Sequence, residues 1–175
     1  TVTITGLALN GKDSNNYTLS GSTTTTTANI TRRPITVTAA TDTKTYDGTT
    51  SSSGTPTITS GSLATGDSAS WSQTFNSKHV GTGKTLTASG SVTDGNSGNN
   101  YDVTFVTSTT GVINARTITV TAATNTKTYD GGTSSSGTPT ITSGSLATGD
   151  SVAWSQTFDT KHAGTGKTLT PSGAV

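Results

Sequence analysis

The residues of this 175-residue chain with chemical potential are two histidines, nine carboxylates (all aspartate) and a few lysine-bearing loops. His79 and His162 each follow a lysine, and a serine-rich chain can supply a nucleophile to a histidine from anywhere in the sequence. No G-x-S-x-G elbow accompanies them, so exposed loop histidines and no enzymatic activity are expected. The "GTGKT" at 81–85 has the end of a phosphate-binding loop. That loop needs a glycine five residues before Gly83 and a helix after the lysine. Position 78 is lysine, as is 161 in a second copy, and strand-like alternation follows; a turn between strands is expected. The "DGNSGNNYD" at 94–102 offers Asp94, Asn96, Asn100 and Asp102 as oxygens of the kind calcium takes. An earlier copy places Asn10, Lys12, Asn16 and Thr18 at those positions, removing both carboxylates and adding a cation. Turn chemistry is the expectation, with no metal and no cofactor. Lys44, Lys78 and Lys84 raise the idea of an intramolecular Lys–Asn cross-link, which an intact mass lacking one ammonia per module would reveal.

A Tyr-Asp-Gly triplet recurs in "KTYDGTTSSSG" at 44–54 and "KTYDGGTSSSG" at 127–137. Tyr46, Asp47 and Gly48, and their counterparts Tyr129, Asp130 and Gly131, fit either a binding site or a turn. Asp bonds its own backbone and Gly accepts a left-handed conformation, which favours the turn. Tyr46 is expected to plug the end of its module, its hydroxyl reaching a partner at the rim. Replacement of Thr49 by Gly132 beside the triplet suits a turn better than a catalytic pocket. Tyr46→Ala is therefore expected to loosen its own module, and an unchanged melting temperature would count against this. Trp71 and Trp154 share an alternating face with Phe75 and Phe158, and with Ala69, which becomes Val152. That apolar exchange marks an inward face, so core is expected rather than a sugar-stacking platform.

These residues are positioned by a repeat. Ile35 returns as Ile118, Tyr46 as Tyr129 and Trp71 as Trp154, each 83 positions on, and segments 35–87 and 118–170 differ at only seven places. "SNNYTLSGSTTTTTANITRRPITV" at 14–37 parallels "GNNYDVTFVTSTTGVINARTITV" at 98–120 with one residue inserted. The organisation read from this is the C-terminal part of one repeat at 1–32, a complete repeat at 33–115 and a truncated third at 116–175. The absence of an initiator Met suggests a piece of something larger. Within a repeat, Ile35, Val37 and Ala39 alternate with polar or small residues, as do Trp71, Gln73 and Phe75, and Tyr101, Val103 and Phe105. Period-two alternation bounded by Gly, Asn and Asp segments marks strands with one buried face. Leu, Ile, Val and Phe number only 27, but 46 Thr and 24 Ser with a net charge of +1 point to ordered β structure rather than disorder. The fold class expected is all-β: small antiparallel modules, sandwich or β-grasp-like, joined end to end into a rod. The "GVINARTITVTA" junction at 111–122 has no Pro/Gly-rich spacer, which leaves little hinge freedom. Without cysteine, disulfides and thiolate metal sites are excluded, and no apolar run is long enough to span a bilayer. Near-zero net charge excludes an electrostatic footprint for nucleic acid.

The Tyr-Asp-Gly-Thr-Thr at 46–50, the Gly-Asp at 66–67, "VGTGKTLTASG" at 80–90 and the "NNYTL" and "NNYDV" segments resemble YDG/MBG-type repeats. Such repeats occur in very large bacterial surface adhesins, often filamentous-haemagglutinin-like exoproteins of two-partner secretion. The resemblance implies an extracellular, cell-surface location and a structural stalk that projects an adhesive domain for attachment or biofilm. Its partners are then the neighbouring repeats of the same chain. The alternative is that each repeat binds host or matrix glycan or protein weakly and the array gains avidity.

Overall fold

β-Branched residues in alternation with polar ones form strands here wherever Gly, Asn and Asp bound them. The computed structural model describes all residues from Thr1 to Val175 and contains no α-helix, only one 3-10 turn at Ser14–Asn16. The strands are β1 (Val2–Ile4), β2 (Thr24–Thr26), β3 (Arg33–Thr38), β4 (Thr43–Thr45), β5 (Thr57–Ser60), β6 (Ser68–Phe75), β7 (Gly81–Thr93), β8 (Tyr101–Val106) and β9 (Ser108–Asn114). They continue with β10 (Thr119–Thr121), β11 (Thr140–Ser143), β12 (Ala153–Phe158) and β13 (Leu169–Ala174). The all-β, tandem-module expectation holds.

The module at 33–115 has two sheets, one ordered β5-β3-β8 and one ordered β4-β9-β7-β6. Ile35, Val37 and Ala39 from the β3 segment meet Phe75, Leu86, Ala88, Val92 and Ile113 from the other sheet, with Tyr101 at the edge, in one buried cluster. This is the inward set that the alternation gives, since successive residues of a strand face opposite ways. The pairing itself is mixed rather than purely antiparallel. β3 runs parallel to β8 and β4 parallel to β9, while β7 is antiparallel to both β6 and β9. Alternation fixes which face a residue occupies but not which strand lies beside it, so these long-range parallel pairs left no local signal.

The "GTGKT" segment departs from its expected place. It lies inside β7, where the ladder with β9 shifts register between Gly81 and Lys84. Gly83, at φ 66°, lets the strand bulge and bend instead of reversing.

The module at 116–175 repeats part of this plan. β10 pairs with β11 and β12 with β13, and the Arg33–Ser62 hydrogen bond recurs as Arg116–Ser145. Its residues correspond to those of the preceding module as far as Val92, the counterpart of Val175. At the other end, β1 and β2 form a short isolated ladder of three residue pairs.

Candidate functional site

The Tyr-Asp-Gly corner follows directly on β4. Lys44 donates from Nζ to Asp47 Oδ1 at 2.8 Å and to the Thr49 carbonyl at 2.9 Å, and lies 5.4 Å above the Phe75 ring. Asp47 Oδ1 also accepts from the Thr49 amide at 2.9 Å, an Asx-type bend, and Gly48 takes φ 82° to complete it. The Lys44 ammonium, then the amide and hydroxyl of Thr49, bring Asp47 down to about 2. The second copy is built alike. Lys127 reaches Asp130 at 2.8 Å and the Gly132 carbonyl at 2.9 Å, 5.5 Å above Phe158, and the Gly132 amide donates to Asp130 at 2.9 Å. Lys127 and the Gly132 amide likewise hold Asp130 below the ordinary carboxylate value. Exchanging Thr49 for Gly132 therefore removes hydroxyl bonds but leaves the bend. The carboxylate is fully engaged by its own loop, which suits a structural corner and not a general acid or base.

Behind the corner sits a polar clamp that the sequence reading missed. Asp42 is buried and accepts from Ser52 Oγ at 2.5 Å, the Ser53 amide at 2.9 Å and Ser53 Oγ at 3.2 Å. Burial works to raise its pKa, but these bonds from Ser52, Ser53 and Gly54 outweigh it and hold the carboxyl below its usual value. Gln73, also buried, brackets Ala40 by accepting from its amide at 2.7 Å and donating to its carbonyl at 2.8 Å. Gln156 does the same to Ala123. Two signals were available: a glutamine in the inward phase of a strand, and three consecutive serines kept in both copies. The third module carries Asn125 at the Asp42 position, donating to Ser135 at 2.6 Å, so the clamp survives without charge.

The corner also joins the two modules. Tyr46, held by its amide to the Asn114 carbonyl, is half-buried against the core and donates its hydroxyl to Asp150 Oδ1 of the next module at 3.2 Å. Gly48 lies against the same loop: a Cβ there would be 3.2 Å from the Thr148 carbonyl and 3.4 Å from the Ala147 Cβ. Ala147 is buried in consequence, whereas its counterpart Ala64 is exposed. Asp67, the counterpart of Asp150, accepts through its other oxygen, Oδ2, from Tyr101 of its own module at 2.5 Å. The Ala64 amide donating to the Tyr101 oxygen works to lower that phenol, but its donation to Asp67 and the negative charge there prevail and raise it. Tyr129 is 61% exposed.

The remaining candidates are dispersed. His79 and His162 are exposed. Lys84 and Lys167 donate to Ser77 and Thr160, and Lys44 to Asp47 and Thr49, none of them to an asparagine. Asp94 turns its oxygens onto the amides of Asn96, Gly98 and Asn100, which overcome burial and lower its pKa; the loop is closed on itself. Trp71 is half-exposed at the margin of the core, edge-on to Phe105 at 5.7 Å and 81°. It covers Gly90, where a Cβ would lie 2.7 Å from the indole; Trp154 and Gly173 repeat this pair.

Two-sheet modules strung in tandem, with a Tyr-Asp-Gly corner serving as both bend and joint, define the class of protein. A family model described as the YDG domain matches residues 31–111 and 114–175. The chain belongs to the YDG-domain family and carries two copies of that domain. No curated protein and no solved structure matches it.

Proposed function

We propose that this chain is part of the structural stalk of a secreted bacterial surface adhesin or fibre, extracellular and without enzymatic activity. It projects an adhesive domain for attachment or biofilm, and its partners are neighbouring repeats. The observation that carries this reading is the joint between modules. Only residues 115–118 separate β9 from β10, and Tyr46 and Gly48 brace the connection on Ala147–Asp150. A short connection with a second contact beside it resists bending, which a flexible Gly/Ser linker does not. Mechanical continuity from module to module is what a stalk needs.

The reading is tested by deleting residues 33–115 from the surface protein that carries them. A stalk loses reach, measured as distance from the cell surface, while binding of the adhesive domain to its target is unchanged. Binding strength that falls in proportion to the number of modules would sink the stalk reading and favour avidity of the repeats. For that second reading the most suitable surface is the Trp71–Phe105 pair, since Phe105 is partly exposed. The N-terminal repeat segment carries Gly21 at the Phe105 position, so the pair is not a property of the repeat.

A further inference from the structure

The two segments that open and close the 33–115 module run side by side in the same direction. β3 pairs in parallel with β8 over six residue pairs, from Arg33↔Tyr101 to Thr38↔Val106. β4 pairs in parallel with β9 over three, from Thr43↔Val112 to Thr45↔Asn114. The interval between these ladders is bridged. The Ala39 amide donates to the Val106 carbonyl at 2.9 Å and the Val112 amide to the Asp42 carbonyl at 3.0 Å, while the Thr41 and Thr110 hydroxyls share a hydrogen bond of 2.8 Å. Both segments thus pass from one sheet to the other together, and a single lateral seam joins them from end to end. Its first bond runs from the Arg33 amide to the Asn100 carbonyl and its last from the Tyr46 amide to the Asn114 carbonyl, each at 2.8 Å.

A chain pulled along its length loads this seam in shear. The module is entered at Arg33 and left at Asn114, which lie at opposite ends of the seam. Tension draws the β3–β4 segment past the β8–β9 segment, so every bond between them is strained at once. Had the two segments been antiparallel, entry and exit would share one end and the bonds would open one after another. Peeling from a margin is blocked as well, because β3 lies between β5 and β8, and β9 between β4 and β7. The inward side chains Ile35, Val37 and Ile113 are at most 1% exposed, so sliding also drags core residues into water. Residues 46–100, which carry β5, β6 and β7, form a long excursion outside the direct path of tension.

We propose that the module bears tension as a shear lock, the load crossing from β3–β4 to β8–β9 through this seam instead of following the chain between them. Its use in the organism rests on the stalk reading, since a stalk that holds an attached cell is pulled along its length. The lock itself is a property of the module. The last bond of the seam belongs to the same Tyr46 that reaches Asp150 of the next module. Only residues 115–118 lead from β9 to β10, so load leaving one module enters the next at its first strand.

Single-molecule force spectroscopy of the full chain tests this, with cysteine handles that are unique because the chain has no cysteine of its own. One double variant, Arg32→Cys with Ala115→Cys, pulls the seam in shear. The other, Arg32→Cys with Asn99→Cys, pulls at two points beside the same end and opens the seam bond by bond. All three positions are exposed, so both variants keep the melting temperature of the parent and differ only in the direction of load. Forced unfolding is governed by the barrier crossed and not by equilibrium stability. At one loading rate the shear variant is expected to unfold at a several-fold higher force than the unzipping variant. Equal forces in the two directions, or a weaker shear direction, overturn the proposal. Deletion of the module in the surface protein reads reach and target binding, neither of which depends on unfolding force. A weak seam therefore leaves the stalk reading standing, and a failed stalk reading leaves the seam standing.

Discussion

Gly54 has no room for a side chain: a Cβ there would lie 2.4 Å from Gln73 Nε2 and 3.4 Å from the Asp42 Cβ. Gly54→Ala must push apart the clamp that fixes the Ser52–Gly54 turn, and a loss of about 1–3 kcal/mol in the 33–115 module is expected from such overpacking. Chemical denaturation measures it, and an unchanged midpoint would show that the clamp is soft. Asp42 gives a pH signature of known sign. Its folded-state pKa lies below the unfolded value of about 3.9, so its contribution is complete above that pH and is lost as the pH falls through the folded pKa. Asp42→Asn, which installs the residue found at position 125, should leave the module folded and flatten its loss of stability below about pH 4. Parallel urea titrations of parent and variant at neutral and acid pH decide this; identical acid limbs would remove Asp42 from the account. At this scale the sequence was partly legible. The bend at Asp47–Gly48 follows from side chains two residues apart, but the clamp joins Asp42 to Ser52 and Gln73, and no short-range pattern announces such a meeting.

Elements settle how modules meet. Tyr46→Phe keeps the ring against the core and removes the hydroxyl that reaches Asp150. Its own module should lose no more than about 1 kcal/mol, the ordinary net contribution of one hydrogen bond. The two modules should tumble more independently, which backbone nitrogen relaxation measures as diverging correlation times. Tyr129→Phe serves as the silent control, because Tyr129 docks on nothing within the chain. Equal effects of the two substitutions would mean that the joint does not depend on this contact. The strands themselves were readable because each carries an inward set at period two, as Ile35, Val37 and Phe75 show. Their neighbours were not: β3 beside β8 and β4 beside β9 bring together segments far apart in the sequence, a choice made by how two faces close over one core.

The whole molecule is a series of such closures. Inserting a Gly-Ser-Gly-Ser segment after Ala115 should separate the modules without unfolding either, shown by a broader distance distribution in small-angle X-ray scattering. A distribution as narrow as the parent's would mean that the corner contact alone holds the orientation. Two near-identical stretches 83 residues apart made the modular plan visible in the amino-acid sequence alone. Composition settled the all-β class, because Thr-rich alternation can bury only one face of a pleated strand. Tertiary structure alone decided that the Tyr-Asp-Gly corner of one module rests on Ala147–Asp150 of the next. The same holds for burial: Asp42 and Gln73 lie buried behind the corner, although both are polar residues. The physical reason is that burial belongs to a pair of surfaces. A sequence states what a residue can cover, and only the folded chain supplies the surface that it meets.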